Sequence, residues 1–242
     1  MARAGIPLLA VLIDADNSSP KWAEAIFDEI ASLGEASVRR IYGDFSSPHS
    51  RGWQEKLPFL ALVPHHQPAN TVGKNSSDIA LVIDAMDLLH SGRFDGFVLV
   101  SSDSDFTRLA SRIREQGLDV YGIGQQKTPE AFRKACKRFI FVENILAEAE
   151  PESDPDPVTR TARPTKLPPA DAAPLIRAAM KAAGDEDDWV GLGPIGQYIT
   201  TAHPDFDSRN YGCSKLSELI ARAGPFEVKK GMGNHMLARV KP

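Results

Sequence analysis

Two short, wholly apolar runs that each end in acids constrain this chain more than anything else in it. Leu8–Ile13 leads into Asp14-Ala15-Asp16-Asn17, and Phe97–Val100 leads into Ser101-Ser102-Asp103-Ser104-Asp105. Apolar runs of this length without alternation fit strands buried on both faces, as inside a parallel sheet. In an open α/β sheet, ligands bind in the crevice beyond the carboxyl ends of the strands, near the switch point, so acids placed there converge. Clustered carboxylates repel and raise one another's pKa unless a cation or a shared proton neutralises them. A hard divalent ion does so, with waters and phosphate oxygens in its remaining positions. Mg²⁺ or Mn²⁺ and phosphoryl chemistry are therefore the expectation.

From residue 7 to about 147, apolar runs alternate with amphipathic segments, the pattern of βα units and a mostly parallel sheet. Ser18 or Ser19 can cap a helix with Pro20 in its first turn, Trp22, Ile26, Ile30 and Leu33 share a face, and Gly34 ends it. Val38–Tyr42 reads as a strand, a short helix is expected near Trp53, and an edge strand near His65. Thr71–Asn75 reads as an exposed loop. From Ser76, Ile79, Val82, Ile83, Met86 and Leu89 recur at helical spacing, which puts Asp78 in the first turn. After the second acid cluster, Phe106, Leu109, Ala110 and Ile113 form a stripe while Arg108, Arg112 and Arg114 project elsewhere. Val120–Ile123 reads as the next strand. Thr128 and Pro129 then start a helix carrying Arg133, Lys134, Lys137 and Arg138, the strongest local basic cluster, before a strand at Phe139–Val142.

Composition changes sharply over Glu148–Pro169, with acids, then Arg160, Arg163 and Lys166, and prolines throughout. That content reads as a linker. Ala170–Ala183, Leu192–Thr201 and Ser208–Ala223 read as helices, and Phe226–Lys230 with His235–Val240 as a hairpin around Gly231–Asn234, which together suggest a winged helix. The expected organisation is thus a Rossmannoid domain over 1–147, a linker over 148–169 and a winged-helix domain over 170–242, consistent with 242 residues. A net charge of -4 and a pI near 5.9 announce no nucleic-acid binder in the total, so local charge has to do so. Cys136 and Cys213 lie far apart without metal-ligand spacing, which argues against a disulfide framework or a zinc site. With the opening apolar run too short to span a bilayer and ending in Asp14, a cytoplasmic location is expected.

Asp14 through Asn17, Lys74 through Ile79 followed by Asp84, and Ser102-Asp103-Ser104-Asp105-Phe106 resemble the successive motifs of NYN domains, the PIN-like family of metal-dependent ribonucleases. Trp189, Leu192-Gly193, Phe206-Asp207, Tyr211-Gly212 and Lys215-Leu216 with Leu219 resemble a LOTUS, or OST-HTH, domain, a winged-helix module linked to RNA binding. The resemblance implies catalytic roles for Asp14, Asn17, Asp78, Asp103 and Asp105. Asp14, Asp78 and Asp103 would hold Mg²⁺ or Mn²⁺, Asp105 would complete the set or orient the attacking water, and Asn17 would fix a carboxylate or a phosphate oxygen. Asp84 carries over less securely, and Asp16 is expected to point away.

RNA is the expected partner. Its backbone would meet Lys74, Arg108, Arg112, Lys127, Arg133, Lys134, Lys137 and Arg138, with Lys215 in the C-terminal module. Trp53 and Tyr42 are the candidates for base stacking in the first domain. Trp189 and Tyr211 are expected to pack the core of the second. A single acid at a strand end is more often an N-cap than a ligand, and a basic helix is more often a solvated face than a binding site. Two alternatives stay open beside a ribonuclease. One is a non-catalytic RNA-binding or adaptor protein; the other, weaker, is a haloacid-dehalogenase-like phosphatase with Asp14 as nucleophile. The C-terminal module leaves room for a homodimer or a protein partner.

Overall fold

The parity of the first strand decides which side of the sheet the site faces. In a strand, alternate side chains point to opposite faces. Leu9, Val11 and Ile13 join one buried cluster, with Ile26, Ile30, Trp53, Val98 and Ile145. Ala10 and Leu12 join the other, with Leu81, Ala85, Phe97, Phe106, Leu109 and Phe132. Asp14 has the parity of Ala10 and Leu12, so it faces the second layer, where Asp78 and Asp103 reside.

In this computed structural model the described residues are 5–46, 50–66, 76–149, 166–184, 189–231, 233 and 235–241. Lys74, the expected loop 71–75 and most of the expected linker lie outside them. The chain divides into two units, Met1–Asp154 and Pro155–Pro242. Strands β1 (Leu8–Asp14), β2 (Glu35–Gly43), β3 (Val63–His66), β4 (Gly96–Val100), β5 (Asp119–Gly124) and β6 (Arg138–Phe141) form one sheet in the order β3-β2-β1-β4-β5-β6. All of its pairings are parallel. The order reverses between β1 and β4, which makes their carboxyl ends the switch point. Helices α1 (Ala23–Leu33), α2 (Arg51–Lys56) and α6 (Val142–Ala149) cover one face, and α3 (Ser76–His90), α4 (Thr107–Glu115) and α5 (Glu130–Ala135) the other.

Local signals explain several boundaries. Ser19, rather than Ser18, caps the turn at Pro20–Trp22 that opens α1, its side chain accepting from the Lys21 amide. Beyond β4 the 3-10 turn Ser104–Phe106 is capped by Asp103, whose side chain accepts from the Asp105 amide. The basic helix is shorter than expected: α5 ends at Ala135, and Arg138 opens β6. The Lys137 amide is recruited by the Val120 carbonyl, which starts the ladder to β5 one residue early.

The second unit has its own core of Ile176, Met180, Ile195, Ile199, Tyr211, Leu219, Ile220 and Phe226. It contains α7 (Ala173–Ala183), α8 (Leu192–Ala202), α9 (Leu216–Arg222), and an antiparallel sheet of β7 (Val190–Gly191), β9 (Met236–Val240) and β8 (Phe226–Lys230) in that order. The expected helix over Ser208–Ala223 is broken. Asp207 caps a 3-10 turn at Ser208–Tyr211, and Gly212 ends it with φ of 69°, a left-handed conformation that favours glycine. Ser214 then opens α9 against Glu218, which accepts from its amide and hydroxyl. Strand β7 is too short to leave a periodic signal. Among the described residues no helix is long and apolar enough to cross a membrane.

Candidate functional site

Asp14 terminates β1 and is 1% exposed, which for a carboxylate requires compensation. Its Oδ1 accepts from the amides of Asp16 (3.0 Å) and Asn17 (3.2 Å), and its Oδ2 accepts from Asn17 Nδ2 (2.9 Å) and Ser101 Oγ (2.7 Å). Burial pushes the Asp14 pKa up, while the hydrogen bonds from Ser101, Asn17 and Asp16 oppose the rise. Ser101 is itself buried, and its Oγ also accepts from the Asp103 amide at 3.0 Å. One hydroxyl thus ties the end of β1 to the acids after β4. Close strand approach permits this: a Cβ on Gly124 would stand 2.5 Å from the Ser101 carbonyl oxygen.

Asp78 enters from the first turn of α3. Its pKa is pushed up to about 6, first by burial and then by the charges of Asp14, Asp103, Asp16 and Asp105. Four carboxylates from the ends of β1 and β4 therefore act on Asp78. The structure corrects the expectation that Asp16 points away: its Oδ2 accepts from Ser77 Oγ at 3.1 Å, joining the β1 loop to the start of α3. Asp16 was missed because a contact across sixty-one residues leaves no local signal. Ser101 was missed as an individual because a serine after a strand is common in turns.

Asp84 lies apart from these acids, accepting from Arg40 Nη1 at 2.6 Å and from Tyr42 Oη at 2.5 Å, with His65 Nδ1 at 3.5 Å. Burial opposes its ionisation, yet Tyr42 and Arg40 hold its pKa below the usual value. Asp84 thereby fastens α3 to β2 and β3. Tyr42 and Trp53 are 0% and 2% exposed, so neither presents a ring for base stacking, contrary to expectation.

The basic candidates separate by edge. Arg108, in the first turn of α4, and Lys127, in the loop after β5, are exposed at the carboxyl edge with the acids. Lys21, not among the expected cations, is exposed in the 3-10 turn Pro20–Trp22 after β1. Arg112 pairs with Glu115 at 3.3 Å, and Lys134 with Glu130 at 2.6 Å. The Arg133 guanidinium lies over Phe141, 5.7 Å from the ring centre. Lys137 pairs with Asp119 at 2.6 Å, and Arg138 with Glu29 at 3.7 Å. Asp119 opens β5, so Lys137 and Arg138 sit at the amino edge, about 16 Å of strand from the acids. The basic segment does not form one surface beside the carboxylates. Lys215 is exposed at the start of α9 in the second unit.

As placed, no three Asp, Glu, His or Cys side chains among the described residues gather tightly enough to form a closed metal cage. Mg²⁺ rarely uses such a cage; it is ordinarily held by one or two carboxylates, waters and substrate phosphate. The donor chemistry at the switch point fits that mode: all-oxygen acids whose mutual repulsion raises Asp78.

The comparisons agree with this architecture. The NYN domain matches residues 8–145, and the OST-HTH/LOTUS domain matches residues 166–237. That combination supports an RNA-related nuclease joined to an RNA-binding module. No curated protein is similar enough to this chain to count as a match. A crystal structure of a protein of unknown function from Vibrio parahaemolyticus is 20% identical, with 58% of this chain and 96% of that one covered and a TM-score of 0.48. A solution structure of an uncharacterized protein from Nitrosomonas europaea is 29% identical, with 38% of this chain and 91% of that one covered and a TM-score of 0.27. Neither likeness carries an argument. The switch-point acids, the wholly parallel sheet and a match from residue 8 to residue 145 agree: the chain belongs to the NYN domain family, with an OST-HTH/LOTUS domain following it.

Proposed function

We propose that this protein is a Mg²⁺- or Mn²⁺-dependent ribonuclease that hydrolyses phosphodiester bonds in RNA, with the C-terminal module holding the substrate. The observation that carries it is the electrostatic strain on Asp78, whose pKa near 6 reflects burial together with Asp14, Asp103, Asp16 and Asp105. Asp78 and Asp103 would hold the ion, with Asp14 behind them and Asp105 at the exposed rim. When bound, the ion supplies an activated water and stabilises charge on the scissile phosphate. Asn17 Nδ2 and Ser101 Oγ fix the Asp14 carboxylate. Arg108 and Lys127 at the same edge draw in the RNA backbone. Cleavage of end-labelled single-stranded RNA in Mn²⁺, Mg²⁺ and EDTA tests this. Products should require metal and disappear with Asp103→Asn, while RNA binding persists; full activity in that variant would refute the reading.

A second reading is a non-catalytic RNA-binding adaptor in which the acids are structural. It is favoured by Asp14, whose two oxygens already accept four hydrogen bonds. Calorimetry separates the two: heat of Mn²⁺ uptake at millimolar metal supports the nuclease, and none supports the adaptor.

A further inference from the structure

Parallel pairing carries the row that begins at Asp14 across two more strands. Asp14 lies opposite Tyr42 on β2, and Tyr42 lies opposite His65 on β3. Residues paired in this way share one face of a sheet, and Tyr42 belongs to the buried cluster on the α3 side. His65 therefore stands at the carboxyl edge on the face of the acids, two strand spacings or about 10 Å from the end of β1. On a strand whose scissile phosphate sits at Asp78 and Asp103, His65 meets a neighbouring nucleotide rather than the bond being cut.

The His65 ring is held in place. It leans on the Tyr42 ring, with centres 4.9 Å apart, and its Nδ1 faces Asp84 Oδ2 at 3.5 Å. The same Asp84 oxygen accepts from Arg40 Nη1 and Tyr42 Oη, so the carboxylate is fixed and its charge is balanced by the guanidinium. An imidazole nitrogen turned to a carboxylate carries the ring proton, which leaves the other nitrogen as a lone-pair acceptor. In His65 that acceptor is Nε2. The side chain is 32% exposed, and Nε2 has no hydrogen-bond partner among the described residues.

We propose that His65 Nε2 accepts a hydrogen bond from the 2′-hydroxyl of a ribose beside the scissile linkage, which makes His65 a specificity-determining residue for RNA over DNA. Within a strand the backbone offers phosphate, ether and ribose oxygens, and of these only the 2′-hydroxyl has a proton to give to a lone pair. A neutral ring above a charge-balanced carboxylate also adds no repulsion to the flanking phosphates.

This inference rests on the ribonuclease reading and deepens it. Its test is single-turnover cleavage in Mn²⁺ by the full chain, using an end-labelled RNA and copies with one 2′-deoxy sugar at each position in turn. At one position off the cleaved bond, the deoxy sugar should slow the wild type about fivefold, the worth of one hydrogen bond. An Asn amide reaches only the place of Nδ1, whereas a Gln amide reaches the place of Nε2. His65→Asn should therefore cut the all-RNA strand about fivefold more slowly and ignore the deoxy sugar there. His65→Gln should keep most of the rate and of the sensitivity. Both substitutions keep a polar side chain at this edge, and thermal melting verifies that each variant is folded. A residue that only braces Asp84 would give the reverse order, with His65→Asn near the wild type and His65→Gln impaired. That order, or a wild-type response to the deoxy sugar in His65→Asn, overturns the proposal. A wild type that makes no products refutes the nuclease alone. Anisotropy of the same strands in the same buffer then reads the pair directly. There the wild type should prefer the all-RNA strand and His65→Asn should not; equal preference in both overturns the proposal.

Discussion

At the residue scale, the acids at the switch point work through one another. Asp78 has its pKa raised from 3.8 to about 6, so the folded protein holds its proton more tightly than the unfolded chain does. Stability from this group is present below the unfolded value, erodes as pH rises towards the folded value, and is absent above it. In EDTA, Asp78→Asn should therefore stabilise the protein more near pH 7 than near pH 4, by about 1 kcal/mol after solvent screening. Equal melting shifts at both pH values would contradict this. Ser101→Ala removes a donor from buried Asp14 and an acceptor from the Asp103 amide. Thermal melts should show a loss of about 1–3 kcal/mol, and a Mn²⁺ titration should show roughly 10- to 100-fold weaker binding. A metal affinity equal to the wild type would separate Ser101 from the site.

At the element scale, the spacing between strand ends sets what can converge. Gly124→Ala would drive a methyl group into the Ser101 carbonyl, a backbone atom that cannot swing aside. Chemical denaturation should report a cost of about 1–3 kcal/mol. Placement by strand edge also ranks the cations: Arg108→Gln should weaken RNA binding more than Lys137→Gln, because Lys137 lies at the amino edge against Asp119. Anisotropy at low salt would measure it, and the reverse order would move the RNA path to the other edge. The sequence revealed β1, β4 and the first turn of α3 because apolar runs and helical spacing are local signals. It overextended the basic helix and missed β7, because strand pairing at Lys137 and Val190 is decided by residues far away in the chain.

At the scale of the whole molecule, a parallel sheet whose order reverses at β1 and β4 supplies the acids, and a second unit with its own buried core follows it in the chain. Asp14 and Asp103 could be singled out because each follows an apolar run at a strand end, and Asp78 because helical spacing put it in the first turn of α3 and the resemblance to NYN domains covers it. Asp16, Ser101 and the half-buried placement of Trp189, which was expected in the core, could not, because each depends on a neighbour far away in the chain: Ser77, Asp14 and Arg239. An ion held by Asp78 and Asp103 with Asp14 behind them is best measured by anomalous diffraction from crystals grown with Mn²⁺. A Mn²⁺ peak beside Asp78 and Asp103, in front of Asp14 at the ends of β1 and β4, is the predicted result. An empty switch point at saturating Mn²⁺, or a peak only elsewhere on the chain, would contradict it.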